Sequence, residues 1–108
     1  MLTPSRKLFY AAEAVLFIAY NGNQGPINGR DIAARQGLPP RYLEQLMQRL
    51  VRGGVLRGVR GPRGGYLLAR ERRRITLGDI YDVLKEDRDE QDMQGYGGTP
   101  LGSRVVPP

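Results

Sequence analysis

A mainly helical domain carrying one small β-hairpin, a winged helix-turn-helix, is the fold the sequence predicts, and three observations predict it. Four segments carry helical apolar spacing or helix-capping signals. The second and third are separated by only a short turn opening on Gly37. Directly after the third, two β-prone runs flank a tip of Gly, Pro and Arg.

The first helix is expected from Ser5, as N-cap, to Asn21, with Leu8, Ala12, Val15 and Ala19 recurring at helical spacing beside Ala11, Ala14 and Ile18. Asn21-Gly22 closes it, and Asn23-Gln24-Gly25-Pro26 is turn-rich. Asn28 can cap a short second helix through Ile32 and Ala33 that stops at Gly37. After Leu38-Pro39-Pro40, the stripe Leu43, Leu46, Met47, Leu50, Val51 defines a third helix ended by Gly53-Gly54. The runs 55–60 and 66–70 pair across Gly61-Pro62-Arg63-Gly64-Gly65 as the wing. Thr76, with Asp79 three residues on, caps a fourth helix expected to bury Leu77, Ile80, Val83 and Leu84 against helix 1. Residues 1–86 thus make one winged domain. The acidic, then Gly/Pro-rich, stretch 87–108 is expected to hold little fixed structure.

With 108 residues the chain can bury a single core, and no apolar run is long enough to span a bilayer, so a soluble, cytoplasmic protein is expected. The sequence has no cysteine and no histidine. That removes disulfides, thiolate and imidazole ligands and the usual neutral-pH base, so no enzyme chemistry and no cofactor is expected. The net charge of +6 points to an anionic partner. From Arg41 to Arg74 there are ten arginines against Glu44 and Glu71, a local balance of +8 that leaves −2 for the rest. The basic character sits on the third helix, the wing and the run behind it.

Opposite the apolar stripe, the third helix carries Arg41, Tyr42, Gln45, Gln48, Arg49 and Arg52. Guanidinium groups bind guanine or phosphate in bidentate fashion and amides read adenine, which suits a major groove. A solvated face would look similar in isolation; the helix-turn-helix before it and the hairpin after it favour duplex DNA. At the wing, Arg60, Gly61 and Arg63 sit where the backbone can approach phosphates or a minor groove. The run 70–74 reads as solvated charge. A winged module for RNA or a protein partner is the alternative, and the Gln and Tyr of the third helix weigh against it.

Asp31-Ile32-Ala33, Tyr42-Leu43-Glu44-Gln45-Leu46, Val59-Arg60-Gly61-Pro62-Arg63-Gly64-Gly65-Tyr66-Leu67-Leu68-Ala69 and Ile75-Thr76-Leu77-Gly78-Asp79 together resemble the Rrf-type regulators, the family of the iron-sulfur cluster regulator and the nitric-oxide-sensing repressor. The resemblance covers residues 2 to about 86. It implies a homodimer on a palindromic operator, usually a repressor, with Arg41, Tyr42, Glu44, Gln45 and Arg49 in the major groove and Arg60, Gly61 and Arg63 at the wing. Many members hold a cluster with three cysteines after the fourth helix, where this sequence has none. Cluster-based sensing is therefore not expected, and no other sensor ligand is indicated. The family also continues into a long dimerisation helix that would begin where this sequence stops, at Pro108.

Overall fold

Helix α1 (Pro4–Asn21), α2 (Gly29–Gln36) and α3 (Pro40–Arg52) precede an antiparallel pair, β1 (Leu56–Val59) and β2 (Gly65–Leu68), and α4 covers 77–85. The computed structural model describes residues 4–85; the tail expected over 87–108 lies outside the described residues. This is the mainly helical, winged arrangement that the sequence predicts.

α1 starts at Pro4, so Ser5 stands inside the first turn and is not its cap. Proline suits a helix start because its missing N–H would have no intrahelical partner there. Ala11, Ala14, Val15 and Ile18 form its buried stripe. Gln36 ties α2 to this helix, its Nε2 donating to the Tyr10 carbonyl at 3.0 Å and to Glu13 Oε1 at 3.1 Å.

The caps expected for the later helices are present. Asn28 accepts from the Arg30 N–H at 2.7 Å and opens α2. α2 and α3 then end in the same way. Gly37 (φ 68°) donates to the Ala34 carbonyl, and Leu38 to that of Ala33; Gly54 (φ 81°) donates to Val51, and Val55 to Leu50. In each Schellman closure a left-handed glycine satisfies orphan carbonyls and the next residue turns inward. Val55 is fully buried, and Leu38 packs on the core. Pro40 is the first residue of α3, so the turn between the two helices is Gly37-Leu38-Pro39.

α3 inserts Leu43, Leu46, Met47 and Leu50 into the core, a burial that stabilises by roughly 1.5–3 kcal/mol per side chain. Leu56 faces Leu68 and Val59 faces Gly65 across the hairpin. Ile27 forms an isolated bridge to Tyr66 on the other edge of β2, a pairing with no signature in the sequence. At the start of α4, Thr76 and Asp79 bond reciprocally: the Thr76 N–H donates to Asp79 Oδ2 at 2.9 Å and the Asp79 N–H to Thr76 Oγ1 at 3.0 Å. Ile80 and Leu84 of α4 join the same cluster as the buried residues of α1, and Val83 packs against it. Leu77, expected inside, is 59% exposed, so the buried stripe of α4 begins at Ile80. Among the described residues no helix is long and apolar enough to cross a membrane.

Candidate nucleic-acid interface

Successive helix positions are about 100° apart, which sorts the residues of α3 by direction. Leu43, Leu46, Met47 and Leu50 point into the core, while Arg41, Glu44, Gln45, Gln48 and Arg52 share one exposed face. Tyr42 and Arg49 lie on one flank of that face and Val51 on the other, each half-buried. Tyr42, expected opposite the apolar stripe, packs against the core. Arg49 stands seven residues on, about two turns along the same side of the helix, so the pair forms an edge of the exposed face and not its centre.

The Val51 flank borders a groove of about 810 Å³ between α3, the start of α2 and the wing. Arg41, Glu44 and Gln48 line it from α3, Arg30 from α2, and Arg60 and Gly61 from the wing. Gln45 is exposed outside this lining, beside Arg41 on the outer face. Arg63 lines a second groove, of about 790 Å³, between the hairpin tip, the end of α1 and α2, where Asp31 and Arg35 also stand. Of the residues singled out from the sequence, five therefore meet in one groove: Arg41, Glu44, Gln48, Arg60 and Gly61. Tyr42, Gln45, Arg49 and Arg63 lie outside its lining.

Tyr66 forms part of the groove wall and is only 9% exposed. Its backbone pairs with Gly58 on one side and Ile27 on the other. Gln48 of α3 and Glu44 line the same groove as Tyr66. Burial raises the Tyr66 hydroxyl above the usual tyrosine range; the Gln48 side chain opposes that shift and the Glu44 charge adds to it. The phenol is neutral at physiological pH.

Arg30 and Tyr66 were not singled out in the sequence. Arg30 did carry a signal. It occupies the second position of α2, and Arg41 the second of α3, where the helix dipole disfavours a cation. Two arginines placed against the dipole at neighbouring helix starts gain most from an external anion. Arg72, in the run behind the wing, lies over the Tyr20 ring at 5.2 Å, and Arg70 pairs with Asp79 at 3.5 Å. Both are engaged within the domain.

Residues 4–103 match the Rrf2 family, described as iron-dependent transcriptional regulators. The helix-turn-helix transcriptional regulators IscR of Cronobacter sakazakii and of Escherichia coli K12 are each 41% identical to this chain over 97 residues, which make up 90% of it and 60% of the relative. The chain thus spans about 60% of the length of the curated relatives it matches. Among solved structures, CymR, the global cysteine regulator of B. subtilis, is 33% identical with a TM-score of 0.71, over 98% of this chain and 73% of that one. IscR of T. potens is 36% identical with a TM-score of 0.68, over 87% and 76%.

The iron named in the family's description finds no thiolate or imidazole ligand in this sequence. The 108 residues contain neither cysteine nor histidine, and the described residues bring no three carboxylates together as a metal site. Thiolate-bound iron does not fit this sequence. By its sequence match, its winged architecture and the groove where helix and wing meet, this chain belongs to the Rrf2 family of transcriptional regulators.

Proposed function

We propose that this chain is a sequence-specific binder of double-stranded DNA that acts as a repressor, with α3 in the major groove and the wing on the flanking backbone or minor groove. The observation that carries this reading is the groove joining α3 to the wing, where Arg30, Arg41 and Arg60 surround Gln48 and Glu44. Cations there meet phosphates, while the amide and carboxylate of α3 can address base edges; Glu44 can accept from cytosine N4. A helix about 10–12 Å across matches the width of a B-DNA major groove. The family of helix-turn-helix regulators to which the relatives belong supports the same reading.

We further propose a homodimer on a palindromic site. Phe9, Leu16 and Tyr20 on α1, with Leu77 and Tyr81 on α4, leave apolar surface exposed that a second copy would cover. The experiment that tests the function is capture of genomic fragments by the purified protein, followed by titration of the enriched duplex against a scrambled one. A shared inverted repeat supports the reading. Enrichment without any common sequence, or preference for RNA, replaces it with the alternative of an RNA-binding or protein-binding winged module.

A further inference from the structure

The wing stands between two grooves. Arg60 and Gly61 line the first, Pro62 and Arg63 the second, and Asn28 and Gly64 border both. The contacts proposed for α3 use the first groove and leave the second, between the hairpin tip, the end of α1 and α2, unused. Arg35 stands in that second groove. Its guanidinium lies over the Phe17 ring of α1, 4.4 Å from the centroid. Among the described residues no carboxylate pairs with it, although Asp31 sits one turn back on α2. The ring covers one side of the guanidinium and restricts its motion, while the N–H donors are left without an acid. Arg63, exposed at the hairpin tip, lines the same groove and has no ion pair among the described residues.

We propose that the second groove seats a DNA backbone strand, with Arg35 and Arg63 on its phosphates and Phe17 as the positioning residue that holds Arg35 for them. The two grooves and the two strands of a duplex correspond. With α3 in the major groove, the strand that divides it from the adjacent minor groove lies in the first groove, against Arg30, Arg41 and Arg60. The wing, on the other side of that strand, then enters the minor groove, and the strand beyond falls into the second groove. Paired β-strands lie about 4.8 Å apart and a B-DNA minor groove is about 6 Å wide. A tip made of Gly61, Pro62, Gly64 and Gly65 around Arg63 adds little bulk to that backbone. Asp31 is the one acid lining the second groove, which Arg35 and Arg63 leave net positive. The inference rests on the DNA binding proposed above and adds to it the residues that hold the second strand.

The test titrates the whole chain with its enriched duplex and with a scrambled one at several salt concentrations, with thermal unfolding run in parallel. Arg35→Ala and Arg63→Ala should each weaken binding to both duplexes several-fold and lower the salt slope by about 0.9. Arg35→Lys should keep the slope. Arg57→Ala removes the same charge from an exposed position of β1 outside both linings, and should leave the slope at its wild-type value. Phe17→Leu keeps apolar bulk against the core and loses the ring face. It should weaken binding in the wild-type background and add nothing in Arg35→Ala. Neutral methylphosphonates placed singly along each strand locate the contact: one position on the far strand should cost wild type affinity and cost Arg35→Ala none. Should Arg35→Ala unfold, Arg35→Gln, which keeps the stem and a planar head, carries the same expectation.

A wild-type slope in Arg35→Ala, or an equal fall in Arg57→Ala, overturns the second-strand contact while leaving recognition by α3 intact. A Phe17→Leu loss that persists without Arg35 overturns the positioning role of the ring. If wild type binds no duplex, the DNA-binding function itself fails and takes this contact with it.

Discussion

Ile27 and Tyr66 exchange both of their backbone hydrogen bonds, Ile27 N–H to the Tyr66 carbonyl at 3.0 Å and Tyr66 N–H to the Ile27 carbonyl at 2.9 Å. Ile27 lies one residue before the Asn28 cap of α2, so this bridge sets the wing against the helix-turn-helix unit. Beside it, a Cβ on Gly65 would collide with the Ile27 carbonyl.

Gly65→Ala is therefore expected to destabilise the domain by roughly 1–3 kcal/mol and to loosen the wing more than the helices. Urea unfolding gives the first quantity. Amide hydrogen exchange at Tyr66 and Ile27 gives the second, and unchanged protection there would show that the bridge accommodates a side chain.

The second prediction concerns acid. Asp79 is held below the ordinary carboxylate range chiefly by the Thr76 N–H, helped by the Thr76 hydroxyl and the Arg70 charge and opposed by slight desolvation. A depressed folded value means that its stabilisation is complete above the ordinary aspartate value of 3.8 and fades as pH falls through the folded value. The urea midpoint of wild type should drop more steeply between about pH 5 and pH 2 than that of Asp79→Asn. Thr76→Ala, which removes the other half of the reciprocal cap, should cost about 1 kcal/mol at neutral pH. Parallel midpoint curves for wild type and Asp79→Asn would contradict the cap's role.

Arg30 and Arg60 face one groove from opposite elements, and neither needs to touch a base to act. Replacing either by Ala should weaken binding to specific and scrambled duplexes alike and lower the salt slope by about 0.9 per lost phosphate contact. Gln45→Ala, outside the groove but on the exposed face of α3, should leave the slope unchanged and reduce affinity only for the specific duplex, by about 1–3 kcal/mol if Gln45 reads a base. Titrations at several salt concentrations separate the two behaviours.

With neither thiolate nor imidazole among its 108 residues, the purified chain should be colourless and free of stoichiometric iron and sulfide, whether prepared with or without air. Metal analysis and the visible spectrum decide this directly.

Punctuation residues made most of the fold legible in the sequence. Asn28, Gly37, Gly54 and the Thr76–Asp79 pair each act through local backbone geometry, and each closes or opens its helix as the sequence indicates. Pairings between distant segments were not legible. Ile27 follows a proline in a turn-rich stretch, so a single-residue bridge to β2 leaves no periodic pattern to detect. Directions on α3 were legible for its core stripe and less so at its edges, where Tyr42 and Arg49 lie near the boundary between inside and outside. Leu77 shows the same limit on α4, because spacing identifies a face but not where along it the neighbouring elements end. The placement of Arg30 against the dipole was legible but its direction into the groove was not, since the N-terminal turn of a short polar helix carries no apolar stripe to orient it.

Direct titration of the purified chain with the duplex it enriches from genomic DNA, set against a scrambled duplex of equal length and composition at one physiological salt concentration, tests the central claim. Sequence-specific binding through α3 and the wing predicts affinity for the enriched duplex about 10³-fold or more above that for the scrambled one. Equal affinity for both would contradict it and leave the arginine-lined groove as a general anion-binding surface.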